Sequence, residues 1–319
     1  MAKYILKRFL LMLFTLFVIV TICFMLIRLL PHEMPNDVVT QEIYLRRWEA
    51  LGYNKPLLVQ YGIYLKNIFT KFDFGTSWYL YKFQPATNAL FDNLLPTVLV
   101  NLYSLIFSIP LGIGLGIFAA IKKNKWQDHV ISIVIMLFVS VPSYIYAFFV
   151  QYLFYYEWGI VSKATILAEA EAGGYFTFAM FWSMIPAVLS LSFSEIAGLA
   201  RFTRAELTES LTSEYMLLAR TKGLSRAQAT TRHALKNAMV PILPSIIASF
   251  IGIMGGSMII EQIFQIPGVG QLYLKSLTQL DYDVFMLDTI FYTFVGLLAG
   301  IVVDISYGFI DPRIRMGEK

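Results

Sequence analysis

The stretch FLLMLFTLFVIVTICFMLI, residues 9–27, contains no charged side chain and is long enough to cross a bilayer as one helix. Five further uncharged, mostly apolar runs follow it, at 93–121, 130–156, 175–194, 237–260 and 289–303. The last run is short and needs its flanks to complete a span. With 57% hydrophobic and only 14% charged residues, the chain lies outside the range of soluble globular proteins. The sequence therefore predicts an all-α polytopic membrane protein with six transmembrane helices.

Lysine and arginine are concentrated on one side of the predicted bundle. The basic termini and connections contain Lys3, Lys7, Arg8, Lys122, Lys123, Lys125, Arg201, Arg204, Arg220, Lys222, Arg226, Arg232, Lys236, Arg313, Arg315 and Lys319. The alternate short connections hold only Lys163 and Lys275, beside several acids. Because basic loops stay on the cytoplasmic side, we expect both termini to be cytoplasmic. This topology accounts for the net charge of +4, so nucleic-acid binding is not needed to explain it.

The predicted spans divide the chain into four parts. These are an N-terminal transmembrane helix (1–30), an extracytoplasmic segment (31–95), a core with five transmembrane helices and a cytoplasmic loop at 201–237 (96–310), and a cytoplasmic tail (311–319). No small-residue cleavage site follows the first helix, so we expect it to remain as an anchor. A Pro-Gly turn followed by an apolar pattern within 264–284 predicts a short re-entrant or interfacial helix.

Motifs that carry catalytic chemistry are missing from the sequence. It has no Walker A pattern for ATP phosphates, no metal-binding spacing among its three histidines, and no G-x-S-x-G nucleophile elbow. A single cysteine, Cys23, excludes a disulfide framework. These features favour a transport subunit, a channel or a scaffold over an enzyme, and they predict no metal or cofactor bound by the chain itself.

Five charged residues lie near the ends of the predicted spans: Arg28, Glu195, Glu261, Asp288 and Asp304. Charge is expensive in lipid, so these side chains either line a transport pathway or serve as interfacial anchors and interhelix pairs. A proton relay needs such groups throughout the membrane depth. Their position near the span ends therefore weakens the hypothesis of a secondary transporter.

Small residues recur at four-residue spacing inside three predicted spans. The pairs are Gly112 and Gly116, Gly252 and Gly256, and Gly296 and Gly300. Such pairs let helix backbones approach closely. They indicate either tight packing within the chain or an interface with another subunit.

One connection is long, basic and helix-prone: EYMLLARTKGLSRAQATTRHALKNAMVPILP, residues 214–244. Leu211, Tyr215 and Leu218 are spaced i, i+4 and i+7, which predicts one apolar face over two helical turns. The face is narrow for an interfacial helix held by anionic lipid, which is the alternative. An exposed helix with apolar anchors is a common way to enter a groove on a partner protein.

The ends of the helices in this connection are also predicted by sequence. Thr212 or Ser213 can cap the first helix, and Gly223 can end it in a left-handed conformation. Ser225 and Gln228 form an S-x-x-Q capping box for a second helix that leads into the next span. The connection is therefore predicted to be helix, glycine elbow, helix.

This connection resembles the cytoplasmic EAA loop of ABC-transporter permeases, written E-A-A-x3-G-x9-I-x-L-P. Gly223 aligns with the glycine and Ala219 with the second alanine, whereas four positions depart from the pattern: Leu217, Leu218, His233 and Lys236. The stretch ARTKGLSRAQATTRHALKNA is instead similar to the variant found in oligopeptide and dipeptide permeases, with its A-R-A-K-G-L and R-H-A-L-[RK]-N-A motifs.

Further motifs extend the resemblance over essentially the whole chain. NKPLLVQYGIYL and FDFGTSW resemble the extracytoplasmic segment of the B-type permease subunit, EQIFQIPGVGQL is similar to its E-x-x-F-x-x-P-G-x-G motif, and VVDISYGFIDPRIR is similar to its ending. Two motifs depart from the family. LDYD, with Leu280 and Asp283, stands where R-D-Y-P is usual, and LPHEMP lacks the common P-G-D-P.

The resemblance implies a permease of the type I ABC importer fold in the cytoplasmic membrane of a prokaryote. Its implied partners are a second homologous permease, two ATP-binding subunits that hold ATP and Mg, and an extracytoplasmic peptide-binding protein. The chain itself would bind no cofactor and hydrolyse no ATP. A related cargo such as nickel, an opine or a glycan is an alternative to peptide, and an uncoupled channel or scaffold is a second alternative.

Within this hypothesis the basic connection transmits force from the ATP-binding subunits. The expected coupling residues are Leu211, Glu214, Tyr215, Leu218, Ala219, Gly223 and Leu224. Three further residues are expected to be rim charges that set orientation: Arg220, Lys222 and Arg226.

Overall fold

The computed structural model describes residues 2–30 and 38–310. The LPHEMP motif beyond Leu30, the D-P-R-I-R ending and the C-terminal basic residues Arg313, Arg315 and Lys319 lie outside these ranges. Within the described ranges the chain is almost entirely helical, which confirms the predicted all-α class. The addition that the sequence did not predict is a hairpin of two strands with two residues each.

The elements of the first half are α1 (Ala2–Arg28), α2 (Val38–Ala50), α3 (Leu57–Lys71), β1 (Thr76–Ser77), β2 (Gln84–Pro85), α4 (Ala86–Ile121), α5 (Trp126–Ser140), α6 (Ser143–Gln151) and a π-helix (Tyr152–Glu157). The elements of the second half are α7 (Glu169–Ala172), α8 (Phe178–Leu211), α9 (Glu214–Thr221), α10 (Arg226–Ala229), a π-helix (Thr230–Ala234), α11 (Leu235–Gly252), a 3-10 turn (Ile253–Gly255), α12 (Met258–Ile263), α13 (Val269–Thr278) and α14 (Tyr282–Ile310). α13 lies within 264–284, where the sequence predicted a short helix, whereas the short α12 lies before that range, at the end of the uncharged run 237–260.

Five helical segments in the described ranges are long and apolar enough to span a membrane: Tyr4–Arg28, Ala86–Ile121, Phe178–Leu211, Arg226–Gly255 and Tyr282–Phe309. A sixth candidate is a pair of helices, Trp126–Ser140 and Ser143–Glu157, bent by 99°. Counted as one span, this pair gives the predicted six.

The prediction of one continuous span over 130–156 was wrong. Val141 has extended backbone angles and precedes Pro142, which caps the start of α6. The proline ring disfavours helical geometry at the residue before it, so α5 ends at Ser140. The bend follows from this one proline.

The fourth predicted span was too short. α8 does not stop near residue 194 but continues through the basic residues to Leu211. Pro186 lies inside it and supplies no amide for the carbonyl of Trp182, and the Ser190 hydroxyl donates to the Pro186 carbonyl at 2.7 Å. Leu211 therefore ends a transmembrane helix instead of starting the short helix that follows.

The described chain forms two compact units, one comprising 96–266 with 299 onward and the other 2–95 with 267–298. In the first unit, α8 packs against α5, α6 and α11. Its largest cluster of buried apolar residues joins α8 to α4, α6 and α12 and includes Met180, Met184, Ile260 and Phe264, all almost fully buried. The Ile166 amide donates to the Phe264 carbonyl at 3.0 Å and fixes the long connection between α6 and α8 on this core.

The glycine pair of α4 packs within the first unit. A Cβ on Gly112 would lie 2.7 Å from the Leu199 Cβ, and one on Gly116 would lie 2.6 Å from the Thr203 Cβ. These distances are closer than real Cβ atoms approach, so this pair brings α4 and α8 together within the chain. A Cβ on Gly296 would meet nothing within 4 Å.

The second unit has two apolar clusters. One joins α1, α3 and the start of α14 through Phe24, Tyr61, Tyr64 and Met286. The other joins the start of α4 to α13 and α14. These clusters hold α3 and the chain from Phe74 to Leu94 against helices of the same unit, so this part of the chain has no separate core in the described residues.

Candidate functional site

The short helix α9 is separated from α8 by only Thr212 and Ser213. Ser213 occupies the predicted N-cap position, but its hydroxyl donates to the Ser210 carbonyl at 2.6 Å and does not cap the helix. Glu214 lies in the first turn, where the helix dipole favours an acid. α9 is thus attached to the end of a long rigid helix.

The inward face of α9 packs on the first unit. Met216 and Ala219 are 4% and 6% exposed and belong to a cluster with Leu207, and with Leu211 and Leu224 at its edge. The predicted single face of Leu211, Tyr215 and Leu218 was therefore wrong, because Leu211 lies on α8. Ala219 faces this cluster, and the half-buried Leu211 and Leu224 pack against its edge.

The outward face of α9 carries large apolar side chains. Tyr215, Leu217 and Leu218 are 38%, 69% and 56% exposed. We call these three residues the α9 surface. Leu217 was not among the predicted coupling residues, although it is the most exposed of the three. The i, i+4, i+7 pattern used on the sequence could not identify Leu217, because adjacent residues such as Leu217 and Leu218 do not fall on the same line of that pattern.

A groove of about 510 Å³ opens beside this helix. Its lining residues are Leu211, Thr212, Ser213, Glu214, Met216, Leu217, Arg220 and Arg226. Arg220, Lys222 and Arg226 are all exposed, as expected for rim charges. An apolar surface bordered by charges has the composition of a protein-docking site.

The elbow after α9 has the predicted geometry. Gly223 has φ of +87°, and its amide donates to the Arg220 carbonyl at 3.0 Å. Ser225 and Gln228 form the predicted capping box, in which the Gln228 amide donates to the Ser225 hydroxyl at 3.3 Å and the Ser225 amide to the Gln228 side chain at 3.0 Å. The second helix continues without a break into the span that ends near Gly255.

Two of the charged residues near the span ends accept hydrogen bonds from neighbouring helices of the first unit. Glu195 accepts a hydrogen bond from the Ser249 hydroxyl at 2.9 Å, which links α8 to α11. Glu261 is 2% exposed and accepts from the Thr97 hydroxyl at 2.9 Å. These contacts correspond to the interhelix-pair alternative.

The remaining three charges lie on α1 and α14. Arg28 places its guanidinium 3.8 Å from the centre of the Tyr53 ring, a cation–π contact. Asp288 is fully buried and Asp304 is half-buried, both on α14.

Sequence reasoning missed an ion pair between α5 and α8. Arg204 contacts Asp128 through two parallel bonds, Nε to Oδ1 at 2.5 Å and Nη2 to Oδ2 at 2.8 Å. The Asn124 amide donates to the same carboxylate at 2.9 Å, and Asp128 is 1% exposed. The only signal in the sequence was an acid in the first turn of α5, which gave no information about its distant partner.

Sequence reasoning also missed the role of Asp281, which is fully buried at the end of the connection between α13 and α14. Its carboxylate accepts from the Ser77 hydroxyl at 2.6 Å. It also accepts from three successive amides, those of Trp78, Tyr79 and Leu80, at 3.3, 3.1 and 3.1 Å. One side chain thereby fixes the turn of the β-hairpin.

A second carboxylate organises the chain just before the hairpin. Arg47 on α2 donates through Nη2 to both oxygens of Asp73, at 2.9 and 2.7 Å, and the Gly75 amide donates to Oδ1 at 2.9 Å. Partial burial by itself raises the pKa of Asp73. The hydrogen bonds from Arg47 and Gly75 together lower it by more than burial raises it, so the pKa lies below its ordinary value.

Comparison with known proteins identifies the class to which this architecture belongs. Residues 112–316 match the family model of the binding-protein-dependent transport system inner membrane component. Residues 1–80 match the model of the N-terminal part of the membrane component of such systems. The chain belongs to this family. It is therefore a multi-pass inner-membrane component of a transport system that depends on a binding protein, and not an enzyme.

Relatives match the chain over nearly its full length. The dipeptide transport system permease protein DppB of Lactococcus lactis subsp. cremoris is 35% identical over 99% of this chain and 100% of its own length. The oligopeptide transport system permease protein OppB of Haemophilus influenzae is 32% identical over 99% of this chain and 100% of its own. The glutathione transport system permease protein GsiC of Salmonella choleraesuis is 30% identical over 99% of both.

Proposed function

We propose that this chain is a permease subunit of an ATP-driven importer that carries short peptides across the cytoplasmic membrane. Full-length similarity to permeases named for dipeptides and oligopeptides carries the proposal of a peptide cargo. The extracytoplasmic partner is a peptide-binding protein, and a second homologous permease completes the pathway. ATP and Mg reside on two ATP-binding subunits.

The α9 surface is the place where these ATP-binding subunits engage. Tyr215, Leu217 and Leu218 expose apolar area on a helix whose other face is fixed by Met216 and Ala219. Such an arrangement fits a helix in a groove of a partner protein. Glu214, Arg220, Lys222 and Arg226 surround the contact and set its register.

Movement of the partner reaches the membrane through two connections. α9 follows α8 after two residues, and beyond the Gly223 elbow the chain runs as one helix into the span Arg226–Gly255. A push on α9 is therefore applied to two transmembrane helices that pack directly on each other. This arrangement lets closure of the ATP-binding subunits turn the bundle toward the outside, where the binding protein releases its peptide.

Uptake of a labelled dipeptide by cells that lack the chromosomal copy of this chain tests the proposal. We expect wild type to restore uptake, and unlabelled dipeptides and longer peptides to compete. Competition by nickel or a sugar, with none from any peptide, would overturn the peptide cargo.

A charge-insertion pair separates coupling from folding. Leu218→Asp is expected to abolish uptake and to lose the ATP-binding subunits during purification, because it introduces a charge into the docked surface. Leu58→Asp, at a leucine that is 76% exposed on α3, serves as the matched control. Uptake by Leu218→Asp as high as that by Leu58→Asp would refute the docking assignment.

A further inference from the structure

A groove of about 260 Å³ lies between α5 and α8 in the first unit and shares no residue with the α9 surface or the groove beside it. Its lining residues are Ser132, Ile135, Met136, Val139, Ser140, Arg201 and Arg204. Both arginines come from α8 and all other lining residues from α5. Asp128, which pairs with Arg204 of the groove, also accepts from the Asn124 amide in the basic turn that carries Lys122, Lys123 and Lys125.

The two arginines differ in their charge balance. Arg204 is neutralised by the buried carboxylate of Asp128. Arg201 lies one turn away on the same face of α8, is exposed, and makes no hydrogen bond or ion pair with any residue in the described ranges. Its exposed guanidinium therefore carries a charge that no neighbouring side chain of the described residues balances and that an anion can neutralise.

The α5 side of the groove is apolar. Ile135 is buried at its base, while Met136 and Val139 are 66% and 45% exposed along one side of the helix. This strip runs from the level of the arginines toward the bend at Pro142. The groove thus has a cationic end at the membrane surface and an apolar strip of up to two turns that extends from it.

We propose that this groove binds one anionic phospholipid. Its phosphate pairs with Arg201, and an acyl chain lies along Met136 and Val139. Basic pockets between transmembrane helices on the cytoplasmic side are suited to anionic head groups. The Asp128–Arg204 pair fixes the distance between α5 and α8 and so shapes the head-group end. The lysines of the neighbouring turn add to the positive potential.

The test uses the purified full chain in detergent and native mass spectrometry. Dioleoylphosphatidylglycerol is the probe, and dioleoylphosphatidylcholine has the same chains without net charge. We expect one phosphatidylglycerol to remain bound to wild type at energies that remove phosphatidylcholine. In Arg201→Gln we expect the ratio of phosphatidylglycerol-bound to lipid-free chain to fall about fivefold, which is the effect of losing one cationic contact with an anionic lipid. Arg232→Gln, an exposed arginine outside the groove, is the matched control and retains the lipid.

A second variant tests the apolar strip without changing charge. Met136→Trp fills the exposed part of the groove and is expected to reduce retention while Arg201 is intact. Three outcomes would overturn the proposal. One is that wild type and Arg201→Gln retain phosphatidylglycerol equally, and another is that wild type retains the two lipids equally. The third is that inorganic phosphate displaces phosphatidylglycerol, which would mean that only the anion is recognised.

Discussion

Gly223 is the residue at which substitution should affect coupling with little effect on the rest of the chain. Its φ of +87° is one that a side chain disfavours, but the space around it is open, since an added Cβ would meet nothing within 4 Å. The penalty for Gly223→Ala is therefore conformational strain alone, about 1–2 kcal/mol. Asparagine tolerates the left-handed region better, so Gly223→Asn should lie between glycine and alanine.

Gly223→Pro is predicted to be far more severe. Proline requires φ near −65°, which is incompatible with the observed angle, and it removes the amide that donates to the Arg220 carbonyl. The lost hydrogen bond costs about 1 kcal/mol, and rebuilding the elbow raises the total to about 3 kcal/mol or more. α9 packs through few residues, so this penalty is enough to displace it.

The assay is peptide uptake and ATP hydrolysis by the reconstituted complex. We expect uptake in the order Gly223, Asn, Ala and Pro, with Gly223→Pro abolishing uptake and removing stimulation of ATP hydrolysis by the binding protein. The amount of chain in the membrane should not change. Gly114→Ala, at an exposed glycine within α4 with nothing within 4 Å of the added Cβ, is the control and should be near neutral. Normal uptake by Gly223→Pro would refute the reasoning.

Three further predictions concern packing and ionisation. Gly116→Leu should destabilise the first unit by about 1–3 kcal/mol because its Cβ would overlap Thr203, seen as a lower melting temperature in detergent; an unchanged temperature would contradict the close approach. Asp281→Asn should cost about 1.5–3 kcal/mol by weakening the charge-assisted hydrogen bonds that fix the hairpin turn, and limited proteolysis near that turn should become faster, an effect whose absence would count against this role. The folded-state pKa of Asp73 is lowered, so its stabilising contribution is complete above the unfolded value of about 3.9 and is lost as pH falls below that value through the folded pKa. The hydrogen-exchange protection factor of α2, which corrects for the slower intrinsic exchange at low pH, should therefore fall on acidification, and Asp73→Asn should show the lower protection already at neutral pH; equal protection factors in the two proteins would exclude the Arg47 link.

Local sequence signals predicted most of the membrane architecture and the elbow. The uncharged runs located the spans because a bilayer demands length and apolarity from a contiguous segment. The capping box at Ser225 and the left-handed Gly223 were found because both depend on residues a few positions apart. Pro142 could have been used in the same way, and overlooking it produced the straight span.

What depends on distant residues could not be predicted. The bond between Asp128 and Arg204 joins positions far apart in sequence, and so do the contacts of Asp281 with the hairpin. The spacing of Leu211, Tyr215 and Leu218 suggested one helix, but α8 retained Leu211 because its helical pattern continues beyond the bilayer-length run. Which face of α9 is buried was decided by packing against Leu207, about which local periodicity carries no information.

The central claim is that the α9 surface contacts an ATP-binding subunit. Leu217→Cys places a thiol at the most exposed position of that surface, while the natural Cys23 lies on α1. A short thiol-to-amine cross-linker applied to native membranes, followed by mass spectrometry of the joined peptides, measures the contact directly. The account predicts a cross-link from residue 217 to a subunit with a Walker A motif, and none when the thiol is placed by Leu58→Cys. Two results would contradict it. One is that residue 217 cross-links only to proteins without that motif, and the other is that it gives no cross-link in a complex that still transports peptide.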